Sequence, residues 1–289
     1  MTDQLPMPVT APLTQAQKTQ IINLIRRAAK AEIMPRFRRL DAGEIDTKRD
    51  ETDLVTQADT AAEAMITRGL QMAFPHALVI GEEAVSANPK LLDGVAEAEL
   101  SFIIDPVDGT WNFAKNMPLF GTMVSVCRFG VPVFGLIYDP VGNDLIMADN
   151  TSPAQWLTQT GRIRPIHTAN TKPLNQLAGY AHIRLMTPAD QALMWTKVGA
   201  LAFIGSLRCS AHEYRLAATG AVDFVLSSTL NSWDHAAGVL ICQQAGGKAA
   251  MLDGSDYNAS IKEGYLLTAS SPDVWDTLAA HFADLMSDA

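Results

Sequence analysis

Between positions 73 and 78 the hydrophobic pattern of this 289-residue chain changes period, from helix-like to strand-like. Upstream, Thr14 stands before a segment that carries Ile22, Ile25, Ala29 and Ile33 on one helical face and stops at Pro35. The segment "QADTAAEAMITRGLQMAF" repeats that spacing through Ala62, Met65, Ile66, Gly69, Leu70 and Ala73. Downstream, "ALVIG", "SFIID", "TMVSVCRF" and "PVFGLIYDP" are short and rich in β-branched and aromatic residues, so they predict strands, the last two joined as a hairpin at Gly130-Val131. From about position 151, strand patterns ("LAGYAHI", "VDFVLSS", "KAAML", "GYLLTA") alternate with helical ones at 188–198, 209–219, 234–245 and 272–286. That alternation predicts a layered α/β second half. With 48% hydrophobic residues the chain can bury a large core, divided here into an N-terminal α+β region, 1–150, and a C-terminal α/β region, 151–289.

Charge and cysteine usage narrow the function classes. The net charge is −9, and the only basic clusters, "RFRRL" and "GRIRP", are too small for a nucleic-acid groove, so no nucleic-acid polymer is expected as a partner. No apolar run approaches the roughly 18 residues that span a bilayer, and the N-terminus lacks a signal pattern. No membrane association is expected. Cys127, Cys209 and Cys242 show no CxxC spacing, which suits packing residues in a reducing, cytoplasmic compartment.

The chemistry concentrates in carboxylates at the ends of apolar runs. In "SFIIDPVDGTWNF", Pro106 cannot donate to a ladder and Gly109 permits a sharp turn, so the strand is expected to break into a tight loop that converges Asp105, Asp108 and the Val107 carbonyl. Such an all-oxygen set suits Mg²⁺. "VIGEE" ends a second strand in Glu82 and Glu83, "NSWDHAAG" places Asp234 at a helix start, and "LVTQAD" places Asp59 three residues after Thr56. Each has a purely structural explanation: a turn at Asp105 and Asp108, a solvated edge at Glu82 and Glu83, an N-cap at Asp234, a capping box at Asp59. The residues alone leave both explanations open. His212 and His235 lack metal-ligand spacing, and Trp111 and Trp233 flank the segments as core or wall.

Taken in order, "DLVTQAD", "GEE", "DPVDGTWNF", the "GS" at Gly205-Ser206 and "WDHAAG…AGG" resemble the signature set of the inositol monophosphatase family of Mg²⁺-dependent, lithium-sensitive sugar-phosphate phosphatases. The resemblance spans about positions 50 to 250. It implies a layered αβαβα sandwich, a homodimer, and direct attack of metal-activated water on a small phosphate monoester. It further implies that Glu82, Asp105 and the Val107 carbonyl hold one ion, that Asp105, Asp108 and Asp234 hold a second, and that a third lies near Glu82. Thr110 and Asp59, with Glu82, would orient and activate the water, while Asp108, Gly109, Thr110, Gly205, Ser206 and Asp234 would meet the substrate.

One position departs from the pattern. Family members acting on inositol phosphate carry a glutamate seven residues before the aspartate of "WD", and here that position is Ser227. A neutral hydroxyl cannot supply a charge-assisted acceptor. Histidinol phosphate, fructose 1,6-bisphosphate and a 3′-phosphonucleotide therefore stand beside inositol phosphate as substrates, and a non-catalytic regulatory protein that keeps the fold is the competing class.

Overall fold

The computed structural model describes residues 13–48 and 54–286. Thr14 caps the first helix, α1 (Gln15–Ala28): its hydroxyl accepts from the Gln17 N–H while the Gln17 side chain returns to the Thr14 backbone. A π-helical stretch, Ala29–Ile33, carries the helix to the turn before Pro35. An antiparallel pair, β1 (Ile45–Thr47) and β2 (Leu54–Thr56), leads into α2 (Gln57–Ala73), which Thr56 and Asp59 cap reciprocally.

These helices cover one face of a seven-stranded sheet. Its strands follow chain order: β3 (Leu78–Gly81), β4 (Ser101–Asp108), β5 (Gly121–Arg128), β6 (Val131–Asp139), β7 (Asp144–Asp149), β8 (Ser152–Leu157) and β9 (Ile163–Pro165). Only β3 and β4 run parallel, with a short helix α3 (Glu82–Ala87) in the crossover. A second short helix, α4 (Thr110–Ala114), follows β4 directly. Side chains alternate along the strands. Phe102, Ile104, Val124, Val126, Phe134 and Leu136 pack against Ile21, Ile25, Ile66 and Leu70 of the helices. The interleaved Ile103, Met123 and Ile137 face the opposite side. Each such fully buried aliphatic or aromatic side chain contributes about 1.5–3 kcal/mol.

The sequence division at 150 falls inside this sheet, between β7 and β8. A short strand carries no mark of the sheet it will join, and here a tight connection pairs Asp149 with Ser152 and keeps β8 beside β7.

The second sheet has the order β11-β10-β12-β14-β13, from β10 (Ala178–Ala181), β11 (Phe203–Gly205), β12 (Phe224–Ser227), β13 (Lys248–Met251) and β14 (Leu266–Ala269). Four helices accompany it: α5 (Pro188–Lys197), α6 (Ser210–Ala218), α7 (Ser232–Gln244) and α8 (Pro272–Phe282). Helices α6 and α7 lie between the sheets, where Tyr214, Ala237 and Ile241 meet Met123, Ile137 and Ile146 of the first and Tyr180 and Val225 of the second. Met194 of α5 and Trp275, Leu278 and Phe282 of α8 cover the outer face through Phe224, Leu226, Leu267 and Ala269. The layers therefore run αβαβα. No helix among the described residues is long and apolar enough to cross a membrane.

Candidate metal centre

Strand β4 does not break at Asp105, contrary to the sequence expectation. It runs on to Asp108 through a bulge: Asp105 pairs with Met123 and Asp108 with Gly121, so three steps on β4 oppose two on β5. In a regular strand residues three apart face opposite sides, and the extra residue cancels that alternation. Asp105 and Asp108 consequently share one side. Pro106 costs the ladder nothing there, and its carbonyl still accepts from the Thr122 hydroxyl at 2.9 Å. Gly109 then turns the chain at φ +86, where a Cβ would come 2.8 Å from the Leu119 carbonyl oxygen.

From the other side of the cleft, α7 supplies Asp234. The helix starts at Ser232 with Asn231 as its cap position, so Asp234 sits in the first turn and not at the cap. Its carboxylate accepts from the Asn231 amide at 3.1 Å. One oxygen each of Asp105, Asp108 and Asp234 lie within 4.8 Å of one another. Asp105 and Asp108 are buried. Burial holds both carboxyls above the ordinary carboxylate range, Asp108 at about 7 with Asp234 adding to the effect, and Asp105 well above it with Glu82, Asp108 and Asp234 all adding. The Ala211 N–H, 2.5 Å from Asp108 Oδ2, and the Cys209 thiol at 3.1 Å work in the opposite direction without reversing it.

No lysine or arginine pairs with these three aspartates among the described residues. Converging anionic oxygens with no protein counter-charge fit a hard divalent cation, whose ligands are carboxylates.

Glu82 stands at the first position of α3, beside this cluster and outside the 4.8 Å set. Its carboxylate pairs with Lys48 at 2.8 Å, and Lys48 also holds Glu83 at 2.7 Å. Burial raises Glu82 to about 8; Lys48 opposes that rise, while Asp234 and Glu83 add to it. Glu63 of α2 caps α3, accepting from the Glu83 and Ala84 N–H groups at 2.8 and 2.9 Å. Gly81 makes the approach feasible, because a Cβ there would lie 2.1 Å from the Glu63 carboxyl carbon.

Asp59 does two jobs. One oxygen accepts from the Thr56 N–H and hydroxyl at 2.9 and 2.5 Å, which is the capping expected from sequence. The other lies 3.1 Å from the Thr110 hydroxyl, which is also 3.0 Å from the Val107 carbonyl oxygen. Asp59 is fully buried, and burial is the main reason its carboxyl rises to about 6. Thr110 is thus oriented from two sides, at the end of the strand that carries Asp105 and Asp108.

Beside Asp234 opens a cavity of about 190 Å³, lined by His182, Leu185, Ser210, Ser227, Ser228, Thr229, Asn231 and His235. Gly205 and Ser206 are not in that lining. Ser206 turns its hydroxyl toward Glu213 at 3.3 Å, and Glu213, buried, also accepts from the Leu207 N–H at 2.6 Å. The second oxygen of Glu213 holds His182 Nε2 at 2.8 Å. His235 is fully engaged: its Nε2 donates to the Thr229 carbonyl at 2.7 Å and its Nδ1 accepts from the Tyr214 hydroxyl at 3.1 Å. His212 lies 3.2 Å from the Phe120 carbonyl oxygen. Cys127, Cys209 and Cys242 are buried and free, Trp233 packs against a core cluster, and Arg208 stacks on Trp111.

Sequence reasoning missed Lys48, Glu63, His182 and Glu213. Glu63 lies one helical turn beyond Asp59 and so shares its face, a signal that was available. Lys48 and His182 carry none.

Comparison with known proteins bears on the fold and the family. The chain is 26% identical over 234 residues to inositol-1-monophosphatase of Bacillus subtilis, covering 81% of this chain and 85% of that protein. It is 31% identical over 235 residues to the Nus factor SuhB of Vibrio cholerae, covering 78% and 81%. The fold matches that of an IMPase from Thermotoga maritima with a TM-score of 0.76 at 23% identity, over 94% of this chain and 99% of that one. The family model described as "Inositol monophosphatase family" matches residues 8–287, and the chain belongs to that family.

Proposed function

We propose that the protein is a Mg²⁺-dependent phosphomonoesterase that hydrolyses a small sugar- or polyol-phosphate by direct attack of water. The observation that carries this reading is the meeting of Asp105, Asp108 and Asp234 within 4.8 Å, next to a Thr110 hydroxyl aligned by Asp59. Asp105, Asp108, Asp234, Glu82 and the Val107 carbonyl would hold two to three ions. When bound, such ions would supply positive charge to the phosphoryl oxygens and acidify the attacking water. The chain's own residues do the rest. The Thr110 hydroxyl directs its one hydrogen toward Asp59 and the Val107 carbonyl, both of which are acceptors, so the Thr110 oxygen presents its lone pairs and accepts a hydrogen bond from water. The water oxygen bonds to phosphorus as the ester P–O bond breaks; a water proton passes to the Thr110 oxygen while the Thr110 hydroxyl proton passes to Asp59, whose carboxyl sits at about 6, and the departing alkoxide takes up a proton from solvent. The first turn of α7 adds the positive end of a helix.

Lithium sensitivity, a homodimer and a cytoplasmic location belong to the same reading, the last supported by three free, buried cysteines. Ser227 lines the cavity at the position of the glutamate expected for inositol, which keeps histidinol phosphate, fructose 1,6-bisphosphate and 3′-phosphonucleotides in the substrate panel. The name Nus factor SuhB, borne by relatives of similar identity, motivates a second reading in which the chain acts through a macromolecular partner. Phosphate release across the panel in Mg²⁺, with Asp105→Asn as the control, separates the two. Release from at least one ester, lost in the variant, is the expected result; no release from any ester refutes the phosphatase reading.

A further inference from the structure

The cavity beside Asp234 differs from a polyol-binding site in the chemistry of its wall. Its polar side chains are His182, Ser210, Ser227, Ser228, Thr229, Asn231, Asp234 and His235. His235 has both nitrogens occupied, and the Asn231 amide donates to Asp234. Asp234 belongs to the metal cluster, so no carboxylate remains in the wall to accept from sugar hydroxyls. What remains is four hydroxyls and one imidazole. That imidazole is backed by Glu213, which has 0% exposure and is fixed by the Leu207 N–H and the Ser206 hydroxyl, so the pair is oriented with its carboxylate inward and its ring, 20% exposed, toward the cavity.

Resting on the phosphatase reading, we infer that His182, held by Glu213, is a specificity-determining residue that recognises a second anionic group on the substrate, a carboxylate or another phosphate, beyond the phosphoryl group that is hydrolysed. Glu213 accepts from His182 Nε2, which leaves Nδ1 as the atom available to the cavity. Burial disfavours charge on this ring, the Glu213 carboxylate opposes that most strongly, and Asp234 and Asp108 add to it, so the ring sits above the ordinary histidine value. A charged ring donates from Nδ1 to an anion, and the Ser227 and Ser228 hydroxyls can add donors of their own.

The test compares 3-phosphoglycerate with glycerol 3-phosphate, which differ only by a carboxylate in place of a hydroxymethyl group, in wild type and His182→Gln. The glutamine keeps an amide to donate to Glu213 and cannot carry charge. A charge-assisted hydrogen bond predicts a kcat/KM ratio favouring the phosphoglycerate by about tenfold or more in wild type, falling to near unity in the variant. Equal ratios in the two proteins, or a wild-type ratio near one, overturn the inference and leave the phosphatase reading standing. If neither ester is turned over, calorimetric titration of both compounds in Mg²⁺ decides. Tighter binding of the phosphoglycerate that is lost in His182→Gln upholds the inference and equal binding overturns it, while the phosphatase reading is decided by the ester panel alone. A thermal melt of the variant within a few degrees of wild type establishes that it is folded.

Discussion

Replacing Asp105 by asparagine should stabilise the metal-free protein at pH 8 and remove its response to Mg²⁺. Asp105 is 1% exposed, and its ligand oxygen lies within 4.8 Å of those of Asp108 and Asp234. Two unit charges at that separation repel by about 3.5 kcal/mol at an effective dielectric constant of about 20. Partial protonation of the buried cluster already relieves some of this, so about 2 kcal/mol is expected from the substitution, or a rise of about 4–8 °C in melting temperature. Asparagine retains the acceptor for the Val107 N–H, which lies 3.1 Å from Asp105 Oδ1, so the bulge survives. The pH dependence has a definite sign. The carboxyls of Asp105 and Asp108 are raised in the folded state, so between about pH 4 and their folded values the native protein binds more protons than the unfolded chain. Stability of the metal-free wild type therefore falls as pH rises through that window, and the Asp105→Asn profile is flatter. Thermal melts in EDTA and in Mg²⁺, at pH 5.5 and 8, read all of this. An Asp105→Asn protein that melts below wild type in EDTA at pH 8, or that gains as much as wild type from Mg²⁺, would refute the assignment of these carboxylates to a cation site.

Other consequences follow from the same geometry. Asp59→Asn keeps the cap on α2 and removes the proton acceptor behind Thr110, so kcat should fall by about 10²–10⁴-fold with little change in KM or in far-ultraviolet circular dichroism. Gly81→Ala drives a methyl group into the Glu63 carboxyl and should cost about 1–3 kcal/mol in urea denaturation, with weaker metal binding as α3 and Glu82 shift. Because Glu82 and Asp108 hold protons up to about 8 and 7, calorimetric Mg²⁺ affinity should decline as pH is lowered from 8 to 6; a flat profile would exclude them as ligands.

The order of helices and strands was legible because hydrophobic period is a local property: the α1 and α2 faces and the strands β3 to β6 and β10 all appear in the sequence as 3.6- or 2-residue repeats. The short α3 and α4 and the strands β7 to β9 and β11 were not, since a few residues carry too little pattern to be distinguished from loops. The motifs suggested Glu82, Asp105, the Val107 carbonyl, Asp108 and Asp234 as ligands, of which the structure brings Asp105, Asp108 and Asp234 within 4.8 Å, but gave no sign of the bulge that turns Asp105 and Asp108 to one side, because a bulge is defined only by the register of the neighbouring strand. The same holds for Lys48 on Glu82 and for His182 on Glu213, pairs separated by 34 and 31 positions. Residue types and their spacing along the chain were enough to predict most helices and strands, and the ordered motifs were enough to indicate the family and, through it, the layered fold. Which charges face one another, and which stay without a protein partner, was decided by tertiary packing, because electrostatic interaction depends on distance through space and on burial, neither of which is written in local sequence.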